Sequence, residues 1–517
     1  MAKSRVRRWL RTSIWADRLL VVVALSPLIV LAVRQMLELG NQNVPCCDFA
    51  ALELGTRAFL RGEQLVGLYS REGWRHPGPA PFLWSSLFRP LPGHSFAEHQ
   101  VGAAVLSLLA MGTLVAASWN KVSAVGRSVV IALVAVFISR FGIDALRVPW
   151  NPYGAFLWTL MAVVSTVAFV HGRRVLWVAF SVVAGSMAAQ THVGAAPTAA
   201  VCFAVIVGVL WRNRHRPATK RPARVAGGAF AVMWFLPFSD LAFGNRNVLK
   251  ILTGTAGDGA AAVDRSDVLT GVMWLLGNSP GHIGETFGPA SPFVEARQII
   301  VLDIVAIVVI VSLAIVALFR WRRDTFAGTL SAVALASGAL TVVALMISNG
   351  PFLRYLILPI AGLGLILWIV AGLTATRLLQ RHEHAVLRLL AWPAVVTLTV
   401  LSIIGIDTRE FTATYVDDDV QTVVQEIQDT CASLPDPAIV DVSSTVEWFD
   451  ALPVIAGIER CVEVRVIGHI GFLAGQPYQA VDDATPNVFI DSTREDDDRT
   501  VIAESDLLKV STSPSAD

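Results

Sequence analysis

The stretch Cys46 to Pro81 reads CCDFAALELGTRAFLRGEQLVGLYSREGWRHPGPAP and directly follows the first long apolar run of the chain. It carries the carboxylates Asp48 and Glu53, five arginine or histidine side chains, and a rigid His-Pro-Gly-Pro turn. No other polar segment of the sequence is as dense in reactive groups. The surroundings of this stretch therefore decide both the fold and the chemistry that is open to it.

The rest of the chain has the composition of a membrane protein. Hydrophobic residues make up 54% of the 517 residues, charged residues only 16%, and the mean hydropathy is +0.59, a balance that soluble domains of this length do not show. Apolar runs of about 18 to 22 residues, long enough to cross the hydrocarbon core, predict about eleven transmembrane helices. Their expected positions are 18–38, 98–118, 127–143, 153–171, 174–191, 194–211, 225–243, 298–319, 326–347, 352–376 and 388–406.

The charges of the connecting loops predict the orientation. With the N-terminus inside, every loop expected on the cytoplasmic side is basic, as the positive-inside rule requires. These loops are 120–127, 171–174, 211–224, 320–323 and 377–388. An odd number of helices then places the C-terminus outside, together with the acidic stretches 417–419 and 495–498. The quoted stretch therefore belongs to a first external loop, residues 39–97.

The composition changes near residue 408 to that of a soluble domain. Strand-like runs at 438–442, 462–466 and 488–490, and a capping box at 444–447 that opens a helix to about residue 458, predict a small α/β domain. We expect three regions: a transmembrane domain 1–407, an external domain 408–510 and a disordered tail 511–517. A disulfide between Cys431 and Cys461 is plausible if this domain faces an oxidising compartment.

Asp48 and Glu53 are the candidates for a catalytic base. A carboxylate at the membrane boundary, next to apolar surface, can hold a pKa suited to that task. The spacing indicates the start of a helix with Asp48 at its cap. The alternative is that both carboxylates are solvated loop charges, or ion-pair partners of Arg57 and Arg61.

A second set of residues has the chemistry to bind a phosphate or a sugar. Arginine offers a fork of donors to phosphate, an imidazole in a rigid turn can face a headgroup, and aromatic rings with an amide suit a sugar ring. The candidates are Arg71, Arg75, His76, Asp144, Arg147, Trp150, Asn151, Tyr153, His192, Arg246 and Arg354. Ordinary alternatives stand beside each of them: loop-surface or interfacial arginines, a rigid turn, an aromatic belt and a helix cap.

Several well-known sites are missing from the sequence. It contains no Walker A, HExxH or G-x-S-x-G motif, and no paired inverted repeat of the kind that marks a transporter. The short basic cytoplasmic loops hold no nucleotide site, which argues against a soluble sugar-nucleotide donor. No nucleic-acid partner is expected.

The layout resembles the GT-C superfamily of integral membrane glycosyltransferases. The strings DFAALE at 48–53 and GLYSREGWRHPGP at 67–79 resemble a group of actinobacterial membrane proteins, and WNPY at 150–153 and QTHV at 190–193 are further points of similarity. The resemblance implies an inverting transfer of a sugar, with arabinofuranose as the first candidate, from a polyprenyl-phosphate donor to a cell-envelope glycan or glycolipid. It places the site on the external face of a bacterial plasma membrane.

By this resemblance Asp48 is the base and Glu53 its partner. The second-loop carboxylate motif of many relatives is not evident, with Asp144 the sole candidate, so a two-carboxylate or metal-assisted mechanism stays open. No cofactor is implied beyond the lipid-linked donor, and a divalent metal stays open. Two other functions remain as alternatives: a lipid or glycolipid transporter, and a non-catalytic scaffold that binds envelope polymer.

Overall fold

The structure is a computed structural model. It describes residues 14–37, 39, 44–70, 73–91, 96–142, 145–253, 265–277, 301–320, 325–347, 354–379, 381–408, 416, 418–480, 484–492, 499–505 and 507–513. Three of the predicted site residues, or their side chains, fall outside this set: Arg71, Asp144 and the side chain of Arg354.

Long apolar helices dominate the described residues, and nine of those helices are long and apolar enough to cross a membrane. With the short 3₁₀ turns that open some of them, they are Ile14–Leu37, Ala97–Ser118, Ala124–Phe141, Asn151–Gly172, Val193–Arg212, Pro217–Phe243, Phe326–Met346, Tyr355–Leu378 and Glu383–Ile406. Two shorter apolar helices, Val175–Thr191 and Ile304–Phe319, occupy the two remaining positions at which the sequence predicts a span. The chain is a polytopic α-helical membrane protein.

The chain divides into two compact units. The first consists of Met1–Arg34, Ala103–Phe235 and Ala256–Glu410, and the second of Gln35–Gly102, Leu236–Thr255 and Phe411–Asp517. The second unit therefore contains the first loop and the C-terminal region together. The boundary predicted at residue 408 is close to the point where the chain passes from one unit to the other.

In the first unit the helices Asn151–Gly172 and Leu358–Leu378 are buried along most of their length. Buried Asp17 pairs with Arg127 at 2.7 Å and with Arg388 at 2.6 Å. These three residues lie near the starts of three different helices. The charge pattern assigns these helix starts to one side of the membrane, and in the structure they contact one another. A buried carboxylate needs such partners, because desolvation of an unpaired charge is costly.

In the second unit, the C-terminal region forms a five-stranded mixed sheet with the strand order β2-β1-β3-β5-β4. The strands are β1 Ala438–Val442, β2 Val464–Val466, β3 Val488–Ser492, β4 Thr500–Glu504 and β5 Leu508–Thr512. β1 runs parallel to β2 and β3, whereas β5 pairs antiparallel with β3 and β4. The helices of this region are Asp418–Asp429, Trp448–Ile458 and Gly468–Ala474.

Three details differ from the sequence prediction. The capping box at 444–447 does not form: the helix starts at Trp448, and Glu447 stands at its cap without a side-chain hydrogen bond. The antiparallel strands β4 and β5 were not predicted. β5 continues to Thr512, so the sheet extends into the segment expected to be a disordered tail. The structure joins Cys431 and Cys461 in a disulfide.

The hydrophobic core of the second unit joins the first loop to the C-terminal sheet. Phe82 from the first loop belongs to the same buried cluster as Val424, Ile455 and Val488 of the C-terminal region. First-loop helices at Cys47–Leu60 and Ala80–Ser86 supply one side of this core. The remaining short helices are Asn247–Thr253 in this unit and Arg265–Gly277 in the first.

Candidate active site

Asp48 lies in the first turn of the helix Cys47–Leu60 and is half-buried. The cap of this helix is Cys46, not Asp48 as the sequence suggested, and it makes no side-chain capping bond. The hydroxyl of Tyr69 donates a hydrogen bond to Asp48 Oδ1. The N-terminus of a helix carries a partial positive charge that attracts a carboxylate. Asp48 is thus held in orientation while part of its surface stays accessible.

Tyr69 is placed by a short hairpin in which residues 67–70 pair antiparallel with residues 73–76. Backbone hydrogen bonds join Gly67 N to His76 O at 2.9 Å and His76 N to the carbonyl of Leu68 at 2.8 Å. Gly67 is required here, because a Cβ would lie 2.8 Å from the carbonyl oxygen of Gly78. This pairing sets Tyr69 directly opposite Arg75. Residues that face each other in an antiparallel pair project from the same side.

Arg75 is a buried cation. Its Nη2 donates to the carbonyl of Phe472, and the guanidinium lies over the Phe472 ring with 4.6 Å between Cζ and the ring centroid. Burial lowers the pKa of Arg75 to about 10, so the side chain is still charged at neutral pH. Among the described residues Arg75 has no carboxylate partner. A guanidinium with only neutral partners suits an anionic ligand.

The backbone of the hairpin is fixed by Asn247. The Oδ1 of Asn247 accepts from Arg75 N at 2.8 Å, and its Nδ2 donates to Arg75 O at 2.7 Å. Asn247 is held in turn by buried Asp240, which accepts its backbone N–H at 2.8 Å. The predicted binding residue Arg246 precedes Asn247 and is exposed. His76 is buried, with its ring edge-on to Trp74 at 5.8 Å.

Glu53 has very different surroundings from Asp48. It is buried, its Oε1 lies 2.7 Å from Arg57 Nε and 3.4 Å from Arg89 Nη1, and its Oε2 lies 2.6 Å from His99 Nε2. Burial acts to raise the pKa of Glu53, but the hydrogen bond with His99 and the nearby arginines outweigh it and hold the pKa well below its usual value. Arg57 also pairs with Glu459 at 2.8 Å. Glu53 is therefore the centre of a structural ion network.

The other predicted residues with described side chains lie in the first unit. Trp150 meets the rings of Tyr153 at 5.4 Å and Tyr355 at 5.6 Å, both edge-on. His192 meets Tyr355 at 6.0 Å and accepts a hydrogen bond from Gly194 N. These four rings form one aromatic group at the ends of their helices, in which Trp150, Tyr153 and His192 are buried and Tyr355 is half-buried.

Two more predicted residues flank this aromatic group in the chain. Asn151 begins the helix Asn151–Gly172, and buried Arg147 ends a 3₁₀ turn just before it. The structure thus assigns the predicted residues to two groups, one in each unit. The first-loop residues Asp48, Arg75 and His76 form one group, and the aromatic residues with Arg147 form the other.

Several residues of these sites were not predicted from the sequence. They are Tyr69, His99, Asn247, Tyr355, Glu459 and Phe472. Tyr69 lies within the quoted stretch and could have been found there, but the others come from distant parts of the chain. No three His, Cys, Asp or Glu side chains that could hold a metal ion come together in the part of the chain that the structure describes.

No protein-family model matches the sequence, and no curated protein matches it. Solved structures do match. The chain is similar to ArnT from Cupriavidus metallidurans bound to undecaprenyl phosphate, with a TM-score of 0.59 and 14% identity over 98% of this chain and 99% of that chain. The apo state of ArnT gives a TM-score of 0.57 and 12% identity over 94% and 96% of the two chains.

An oligosaccharyltransferase from Archaeoglobus fulgidus in the apo form is a more distant match, with 10% identity over 84% of this chain and 64% of that one. Its TM-score of 0.41 is too low to establish a shared fold. The match to ArnT over nearly the whole length shows that this chain shares the membrane fold of ArnT.

Proposed function

We propose that this chain is an inverting membrane glycosyltransferase that takes a sugar from a polyprenyl-phosphate donor. The observation that carries the proposal is the hairpin formed by residues 67–70 and 73–76, which sets Tyr69 opposite Arg75 while Tyr69 binds Asp48. Tyr69 thereby links the candidate base Asp48 to the segment that carries the buried cation Arg75. The whole-length similarity to ArnT, which is seen with undecaprenyl phosphate, supports a lipid-linked donor.

In the proposed reaction Asp48 accepts the proton of an acceptor hydroxyl. The oxygen attacks the anomeric carbon of the donor sugar from the side opposite the phosphate, so the configuration inverts. The bond from that carbon to the phosphate oxygen breaks, and the polyprenyl phosphate leaves with the electron pair. The remaining N–H groups of Arg75 stabilise the charge that grows on the phosphate, while Tyr69 keeps the carboxylate aimed.

Glu53 takes a structural part in this proposal, because its oxygens are occupied by Arg57 and His99. The aromatic group around Trp150 is proposed to support the sugar or the lipid head. The predicted phosphate-binding residues that remain as proposals are Arg71, Arg147, Arg246 and Arg354, and Asp144 remains as a second carboxylate.

The proposed membrane orientation rests on the loop charges, and the proposed substrates rest on the resemblance of the first loop to a known family. The loop charges support an external site on a bacterial plasma membrane, and a cell-envelope glycan or glycolipid is the proposed acceptor. Decaprenyl-phosphate arabinofuranose is the first donor to test, because the first loop resembles actinobacterial proteins. Other polyprenyl-phosphate sugars form the second panel.

The test is transfer of labelled sugar from these donors to envelope acceptors by membranes that contain the full chain. An Asp48→Asn variant should lose at least about 100-fold in rate, the range expected for a lost general base. Asp429→Asn, at an exposed helix end of the same unit, is the matched control and should keep the wild-type rate. Near wild-type transfer by Asp48→Asn would remove Asp48 from the role of base.

A further inference from the structure

The residue that contacts the Arg75 guanidinium, Phe472, lies in the C-terminal α/β region. Phe472 belongs to the helix Gly468–Ala474. It contacts the Arg75 guanidinium in two ways: its ring packs against the cation, and its backbone carbonyl oxygen accepts a hydrogen bond from Nη2. His469 on the same helix stacks on the Phe472 ring at 6.3 Å. Arg75 and Phe472 are 397 residues apart in the chain, so only the folded C-terminal region can bring this partner.

The contact leaves the charge of Arg75 available. An aromatic face and a carbonyl oxygen both attract a cation without neutralising it. Among the described residues, the side chain of Arg75 donates its hydrogen bond through Nη2. The guanidinium is thus fixed in direction and still able to bind an anion through its other N–H groups.

We infer that the C-terminal domain is part of the donor site, with Phe472 as the positioning residue that aims Arg75 at the phosphate of the polyprenyl-phosphate donor. This inference deepens the proposed function and rests on it. The ligand class is a lipid-linked phosphate monoester or diester.

Two further contacts support a working connection between the domain and the first loop. Trp448 packs edge-on against the ring of Tyr69 at 6.2 Å, and Tyr69 is the residue that binds Asp48. The hydroxyl of Tyr478 donates to the carbonyl oxygen of Leu54 at 3.0 Å, on the helix that begins next to Asp48. The domain therefore contacts each piece of chain that carries a proposed catalytic group.

The test measures binding of undecaprenyl phosphate to the purified full chain in lipid nanodiscs, with undecaprenol as the phosphate-free probe. Phe472→Leu should weaken binding of the phosphate about 5- to 10-fold, and Phe472→Tyr should restore it, because a tyrosine face also holds a cation. Binding of undecaprenol should not change. Phe489→Leu is the matched control, since Phe489 packs under Arg499 at 4.0 Å within the same domain.

A double-mutant cycle separates positioning from general structural damage. If Phe472 acts through Arg75, then Phe472→Leu should have little further effect in an Arg75→Leu background. Equal weakening in both backgrounds, or wild-type binding by Phe472→Leu, would overturn the inference. Wild-type binding by Arg75→Leu itself would instead sink the proposed phosphate role of Arg75, so the two failures are distinguishable.

Discussion

Two carboxylates on the helix Cys47–Leu60 have opposite surroundings. Glu53 is fully buried between His99 and two arginines, whereas Asp48 is half-buried and bound by the neutral hydroxyl of Tyr69. An acid whose oxygens are taken up by ion pairs has no room for a substrate proton. The difference supports the proposed division of roles, in which Glu53 belongs to a structural ion network and Asp48 is the candidate base.

The largest effect on stability should come from Glu53→Ala. Removing one partner of a buried ion pair leaves uncompensated charge and costs about 3 to 5 kcal/mol, so the melting temperature of the purified protein should drop sharply. The control is Glu63→Ala, because Glu63 pairs with Arg61 in an exposed position and such pairs contribute about 0 to 1 kcal/mol. Equal melting temperatures for the two variants would contradict the structural role of Glu53.

The Tyr69→Phe variant tests the proposed role of Asp48. It removes the hydroxyl that binds Asp48 but keeps the ring against Trp448. A hydrogen bond to a charged group contributes about 1.5 to 3 kcal/mol, and because this bond orients the proposed base the turnover rate should fall about 10- to 100-fold, while the melting temperature should fall less than in Glu53→Ala. A large loss of stability with unchanged turnover of the folded protein would instead indicate that Asp48 and Tyr69, like Glu53, have a structural role.

A smaller effect concerns the pH dependence of stability. The folded-state pKa of Glu53 lies well below the ordinary value of 4.5, so the unfolded chain takes up its proton first as the pH falls. The contribution of Glu53 is therefore fully present above about pH 5 and is lost below that value. The difference in melting temperature between wild type and Glu53→Gln should be constant from about pH 6 to 8 and should shrink below about pH 4.5. An unchanged difference at low pH would contradict this account.

The sequence predicts most of the membrane architecture because length and hydropathy are local properties. All eleven predicted spans coincide with apolar helices, and the strands at 438–442 and 488–490 appear in the sheet. The antiparallel pairing around Tyr69 was not predicted, although Gly67 and Gly73 permit it locally. The strands β4 and β5 near the C-terminus were not predicted, because their sequences show little continuous apolar pattern.

The roles of Asp48 and Glu53 could not be separated from the sequence. Nothing in the string DFAALE distinguishes them, because the difference arises from distant partners. His99 and Arg89 reach Glu53 from the far end of the first loop, and Glu459 reaches the same network through Arg57. In the same way, nothing in the local sequence indicates that Phe472 contacts Arg75. Contacts of this kind depend on the complete fold and leave no local pattern.

The most direct measurement compares turnover of Asp48→Asn and Glu53→Gln, each normalised to the amount of folded protein. Both changes replace a carboxylate by an amide of similar shape on the same helix, so the two variants control for each other. We expect Asp48→Asn to lose at least about 100-fold in rate at a wild-type melting temperature. Glu53→Gln should melt lower and keep the rate within a few-fold per folded molecule. The reverse pattern would contradict Asp48 as the base.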